Sequence, residues 1–212
     1  MSVEPFEAAG VRGFLHRPEG APVGGLVLTH GAGGNCRAPL LVEAARAFAA
    51  AGLVVLRCDL PFRQRRPSGP PSPSGAAADR AGLADAVAAL RALAPHPIIL
   101  GGQSYGGRQA SMLAAEQTEL VAGLLLFSYP LHPPGRPERL RTEHFPQLRV
   151  PAVFVQGTSD PFGGIDEIRA AAAAIPAPTR VIPIEGAGHD LRRGRFDLST
   201  VVEAVVGAGS RG

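Results

Sequence analysis

The sequence predicts one α/β domain over residues 1–212, with a mainly parallel central sheet covered by helices on both faces. Short apolar runs alternate with Ala-rich stretches of helical periodicity, the pattern of strands joined by crossover helices. Hydrophobic residues make up 45% of the 212 and charged residues 18%, which suits one sizeable core.

Element by element, Val11 to His16 reads as an early strand turned by Pro18-Glu19-Gly20. Leu26 to His30 is a buried strand ending at Gly31-Ala32-Gly33-Gly34. A helix follows, apolar at Leu40, Leu41, Ala44, Ala45 and Phe48 and stopped by Gly52, and Leu53 to Leu56 is the next strand. Pro61 to Ser74 contains five prolines and is expected to be loop throughout. Asp79 to Leu93 resumes as helix with Leu83, Val87 and Leu90 on one face. Ile98 to Leu100 is a strand running into a glycine-rich turn, and Arg108 to Gln117 is helical. Leu124 to Phe127 is strand, and Tyr129 to Pro151 is mostly loop. Ala152 to Val155 is strand, Asp166 to Ile175 helix and Arg180 to Ile184 strand. A last helix spans roughly Asp197 to Val206, and Gly207 to Gly212 reads as a frayed tail.

Composition excludes several classes of function. No apolar run approaches the roughly 20 residues needed to cross a bilayer, and the first ten residues lack a basic-then-apolar leader pattern. Cys36 and Cys58 make neither a metal-ligand spacing nor a disulfide framework, and read as small buried hydrophobes in a reducing, cytoplasmic setting. Net charge is +3, with two arginine clusters, Arg63, Arg65, Arg66 and Arg192, Arg193, Arg195. With aromatics at 5% and no Trp, nothing resembles a stacking surface for nucleic acid, so the clusters read first as solvated loop surface. Both trail strand ends, and a role in binding an anionic part of a substrate is the sharper alternative.

Ligand sites in open α/β sheets lie beyond the carboxyl ends of the strands. Three such ends carry a Ser, an Asp and a His. Gly102-Gln103-Ser104-Tyr105-Gly106 is Gly-x-Ser-x-Gly between a strand and a helix, where glycines permit the sharp turn that exposes a nucleophilic hydroxyl. Asp160 follows 160 − 104 = 56 residues later, after the strand at Ala152. Its rivals are weaker: Asp166 begins a helix, and Asp190 adjoins the histidine. His189 comes 189 − 160 = 29 residues further on, in a glycine-rich loop, giving the chain order Ser, Asp, His. His30, His96, His16, His132 and His144 fit that role less well.

Acyl transfer builds charge on a carbonyl oxygen and needs two waiting N–H donors. Tyr105, after the serine, and Ala32, in the glycine loop, are the expected pair. Gly31 and Gly33 of the same loop, with Phe62 and Phe162, are candidate substrate contacts. That loop lacks the residues of a P-loop or a dinucleotide site.

On these residues, from His30-Gly31-Ala32-Gly33-Gly34 through Gly102-Gln103-Ser104-Tyr105-Gly106 and Asp160 to Gly188-His189, the chain resembles the α/β-hydrolase superfamily. Within it, the chain is similar to compact, cap-poor esterases of the dienelactone-hydrolase type. It departs from dienelactone hydrolases proper, whose nucleophile is cysteine. The resemblance implies a triad of Ser104, Asp160 and His189, little or no cap, and no metal or organic cofactor. The expected partner is a small-molecule ester or thioester. A non-catalytic interaction module, or peptidase, acyltransferase or perhydrolase chemistry on the same residues, stands as the alternative.

Overall fold

The computed structural model describes residues 1–191 and 196–209. Eight strands form one sheet: β1 (Ser2–Ala8), β2 (Val11–Arg17), β3 (Gly24–Thr29), β4 (Leu53–Cys58), β5 (Ile98–Gln103), β6 (Gly123–Phe127), β7 (Ala152–Gly157) and β8 (Thr179–Ile184). Their order across the sheet is β1-β2-β4-β3-β5-β6-β7-β8. The β1/β2 and β2/β4 pairs are antiparallel, and every later pair is parallel. Among the described residues, six helices accompany them: α1 (Pro39–Ala50), α2 (Pro61–Arg65), α3 (Ala76–Arg91), α4 (Tyr105–Glu116), α5 (Ile165–Ala172) and α6 (Leu198–Gly209).

The two-residue period of a strand divides the core in two. On β6, Leu124 and Leu126 join one cluster while Leu125 and Phe127 join the other. On β7, Ala152 and Phe154 take the first side, Val153 and Val155 the second. The first cluster is closed by Leu83, Val87 and Leu90 of α3, Leu113 of α4 and Ile168 of α5. The second is closed by Leu41, Ala45 and Phe48 of α1 and Val201 and Val205 of α6. The inner strands therefore have no polar face, and their sequences read as continuous apolar runs.

Two expectations need correcting. The segment from Pro61 is not loop throughout: α2 occupies Pro61–Arg65, and a 3₁₀ turn occupies Pro73–Gly75. Pro61 costs the helix nothing at its first position, where the N–H would lack a partner anyway. The next N–H, of Phe62, donates to the buried Asp79 carboxylate at 3.0 Å. Strand β1 was also not anticipated. It is an exposed edge strand that tolerates Pro5, turned into β2 at Ala9 (φ 51°) and Gly10 (φ 76°). Cross-strand ion pairs join Arg12 to Glu7 and Arg17 to Glu4.

Arg57 of β4 donates through Nε to Nε2 of His16 on the neighbouring β2 at 2.8 Å. Burial, and then the adjacent guanidinium, lower the His16 pKa from 6.5 to about 4. Burial and the charge of Arg108 do the same to His144, again to about 4. An unfolded chain takes up these protons near pH 6.5, the folded chain only near pH 4. Stability is thus whole above pH 6.5 and drains as the pH falls toward 4, by at most about 3 kcal/mol per histidine. Urea midpoints should drop between pH 7.5 and 5, and less so in His16→Gln. A flat profile in the wild type would contradict this.

Candidate active site

Ser104 stands between β5 and α4 with φ 51° and ψ −117°, a backbone conformation that L-residues rarely adopt. The flanking glycines make it possible by close approach. A Cβ on Gly102 would lie 2.8 Å from the backbone of Gly106 and Gly107. One on Gly106 would lie 2.5 Å from the His30 carbonyl oxygen. The turn is held open by the Ser104 N–H, which donates to Phe127 O at 2.8 Å.

Beyond β7 and β8, two loops are joined edge to edge. The Ser159 N–H donates to Ala187 O at 2.9 Å, and the Gly186 N–H to Thr158 Oγ1 at 2.9 Å. Gly157 permits the approach, since a Cβ there would meet the Ala187 carbonyl oxygen and lie 2.6 Å from that of Gly188. His189 is thereby carried to Asp160, its Nδ1 lying 2.8 and 3.0 Å from the two carboxylate oxygens. A carboxylate offers only acceptors, so the proton sits on Nδ1. Nε2 is then free to accept from the Ser104 hydroxyl, 2.8 Å away. The Asp160 side chain is fully buried and also accepts from the Phe162 N–H at 2.9 Å and from Gln156 Nε2 at 2.9 Å. Phe162 covers the imidazole at 4.2 Å between ring centroids.

On the other side of Ser104 lies the loop from His30 to Gly34. His30 is fully buried, and burial lowers its pKa. Its neutral ring donates from Nδ1 to Gly31 O at 2.8 Å and accepts the Leu60 N–H at Nε2. Arg63 braces the same loop. Its guanidinium donates to Gly34 O (2.7 Å), Ala32 O (2.8 Å), Gly69 O (3.0 Å) and Arg66 O (3.2 Å). Tyr105 begins α4, so its N–H has no partner within that helix.

A cleft of about 690 Å³ opens over Ser104 and His189. Gly31, Ala32, Gly33, Tyr105 and Phe162 line it. Phe62 does not. It is buried at 3% exposure, packed edge-on against His30 and Tyr105, and supports the site from below. The arginine expectation also changes. Arg63 is 6% exposed, neither solvated surface nor an available anion ligand, because its donors are taken by carbonyls. Arg65 and Arg66 are exposed, and Arg192, Arg193 and Arg195 lie outside the described residues. The proline-rich segment supplies a wall of the cleft through Pro70, Pro71 and Pro73.

The supporting roles of three residues were missed by the sequence reading, and two of them left a signal. Gln156 is a lone polar residue in the apolar run of β7, and its Oε1 also accepts the Tyr129 N–H at 2.8 Å. Asp79 lies one helical repeat before Leu83 on the buried face of α3, where it accepts from the Tyr105 hydroxyl at 2.8 Å. Arg63 left none, as one arginine among several. Cys36 and Cys58 are free thiols, pushed up by burial to about 11 and about 12. Among the described residues no helix is long and apolar enough to cross a membrane, and no cluster of His, Cys, Asp and Glu is suited to a metal.

Known structures share this architecture. A dienelactone hydrolase from Anabaena variabilis is similar with a TM-score of 0.72 and 22% identity over 96% of this chain and 95% of its own. An α/β serine hydrolase homologue from Coxiella burnetii gives a TM-score of 0.71 and 20% identity, covering 97% and 95%. A lid-less α/β serine hydrolase from Xanthomonas campestris gives 0.69 and 16%, covering 99% and 94%. At these identities the likeness establishes the fold. Between β6 and β7 this chain has no inserted domain, only a 3₁₀ turn at Phe145–Gln147. The model of the alpha/beta hydrolase domain family matches residues 23–205, from β3 to α6, and the chain belongs to that family, as a compact and cap-poor member.

Proposed function

We propose that the protein hydrolyses an ester or thioester through an acyl intermediate on Ser104. The observation that carries this reading is the 2.8 Å contact between Ser104 Oγ and His189 Nε2, with Asp160 on the far nitrogen. Ser104 Oγ attacks the carbonyl carbon while His189 takes its proton. The negative oxygen that results faces the N–H groups of Ala32 and Tyr105, at the start of α4. As the intermediate collapses, His189 gives its proton to the departing alcohol or thiol. Water then enters, loses a proton to His189 and releases the acid. Asp160 keeps Nδ1 protonated and stabilises the imidazolium at both stages.

The absence of an inserted domain leaves the cleft open, which suits a small-molecule substrate. Purified protein should turn over short p-nitrophenyl esters or acyl thioesters and leave peptide amides intact. Cleavage of peptides alone would refute the reading.

Arg63 is a positioning residue in this scheme, because it clamps the carbonyls on either side of Gly33. Arg63→Lys keeps the charge but cannot reach four carbonyls. It should lower kcat about 10- to 100-fold, below the effect of deleting an oxyanion donor, with KM little changed. A rise in KM at constant kcat would contradict the assignment.

A further inference from the structure

We infer that the cleft selects an anionic substrate, with Arg108 and Arg141 forming a subsite for a carboxylate carried by the ester away from its scissile carbonyl. The turnover part of this inference rests on the ester-hydrolase reading of Ser104.

Both arginines line the cleft with Ser104 and His189, and no Asp or Glu lines it among the described residues. Both are half-buried, and among the described residues neither forms an ion pair. Asp79 and Glu116 are committed elsewhere, and Glu138 and Glu143, which line a neighbouring surface pocket with Arg141, stand in water. Asp79 accepts from the Phe62 N–H and the Tyr105 hydroxyl, and Glu116 pairs with Arg80 at 2.9 Å. Glu143 is exposed, and burial and the charge of Arg108 lower the Arg141 pKa in spite of it. Two like charges thus share the cleft wall with no ion-paired partner among the described residues, an arrangement an incoming anion would relieve.

Arg141 is also built into place. Its N–H donates to Leu131 O at 2.8 Å, its carbonyl accepts the Tyr129 hydroxyl at 2.8 Å, and Nη1 reaches Pro130 O at 3.4 Å. Arg108 lies one turn beyond Ser104 on α4, its N–H bonded to Ser104 O at 2.9 Å. The spare capacity around it consists of donors. Arg108 Nε and Gln109 Nε2 are buried without a hydrogen-bond partner, and Gln109 also lines the cleft. Surplus donors beside two guanidinium forks call for an acceptor-only group, which a carboxylate is. This reassigns the anion-binding role to arginines on α4 and in the loop after β6.

The test compares the p-nitrophenyl monoester of adipic acid with p-nitrophenyl hexanoate, matched in chain length. The two are used for turnover by the wild type and for equilibrium binding to Ser104→Ala, where affinity is read without hydrolysis. Arg141→Gln and Arg108→Gln are made in both backgrounds. Arg141 sits in a loop, so its variant carries the test should Arg108→Gln disturb α4. The anionic-to-neutral ratio, of kcat/KM and of affinity, should fall about tenfold or more in each variant, and should fall with added salt in the wild type. A ratio that the substitutions leave unmoved overturns the subsite, and Ser104-dependent turnover of both esters would then leave the hydrolase reading standing. A ratio that falls in the binding series while the wild type turns over neither ester supports the subsite and counts against that reading.

Discussion

Ser104→Ala should fold normally and lose ester hydrolysis by about 10⁴- to 10⁶-fold in kcat, with little change in substrate affinity. The strained turn and the His189 contact at 2.8 Å both serve this hydroxyl. Stability separates this loss from misfolding. Alanine retains a Cβ at φ 51°, so the strain remains and the urea midpoint should barely move. Ser104→Gly removes the Cβ as well and should be more stable than Ser104→Ala by about 1 kcal/mol, and equally inactive. Residual activity in Ser104→Ala within tenfold of the wild type would remove the serine from the chemistry.

Asp160→Asn should be the next most damaging change, lowering kcat by about 10³- to 10⁴-fold. Its carboxylate accepts from His189 Nδ1, Gln156 Nε2 and the Phe162 N–H, so all its partners are donors. An asparagine amide brings its own N–H₂ into that ring of donors. Turned toward His189, it would favour the tautomer protonated on Nε2, which cannot accept from the serine. Asp190→Asn, at an exposed position next to the histidine, should stay within about tenfold of the wild type. A larger loss from Asp190→Asn than from Asp160→Asn would reverse the assignment of the acid. A Gln156→Leu variant should fall between the two, since it leaves the buried carboxylate with one donor fewer.

Much of this architecture is legible in the sequence because the inner strands are apolar on both faces. Leu26 to Leu28, Leu124 to Phe127 and Ala152 to Val155 have no solvent face to obscure the pattern. Where a strand is exposed the signal fails, as at β1, which carries Pro5 and two glutamates at the sheet edge. The candidate site is readable for a related reason. Each of Ser104, Asp160 and His189 comes within five residues of a strand end, so topology sends them to one edge of the sheet. The surrounding shell is harder to read, because its residues act through contacts distant in sequence. Arg63 reaches back 31 positions to the Ala32 carbonyl, and nothing local distinguishes it from its exposed neighbour Arg65. Phe62 misleads in the same way. An aromatic after a strand end suggests a pocket wall, but its N–H bond to Asp79 turns the segment into a helix and buries the ring.

The covalent step is the centre of the account, and fluorophosphonate labelling read by intact mass and peptide mapping tests it most directly. The expected result is one phosphonyl adduct per chain on the peptide containing Ser104. It should be absent in Ser104→Ala and form far more slowly in His189→Ala, which has no base at 2.8 Å to take the proton. An unmodified wild-type chain, or an adduct that maps elsewhere and survives Ser104→Ala, would contradict it.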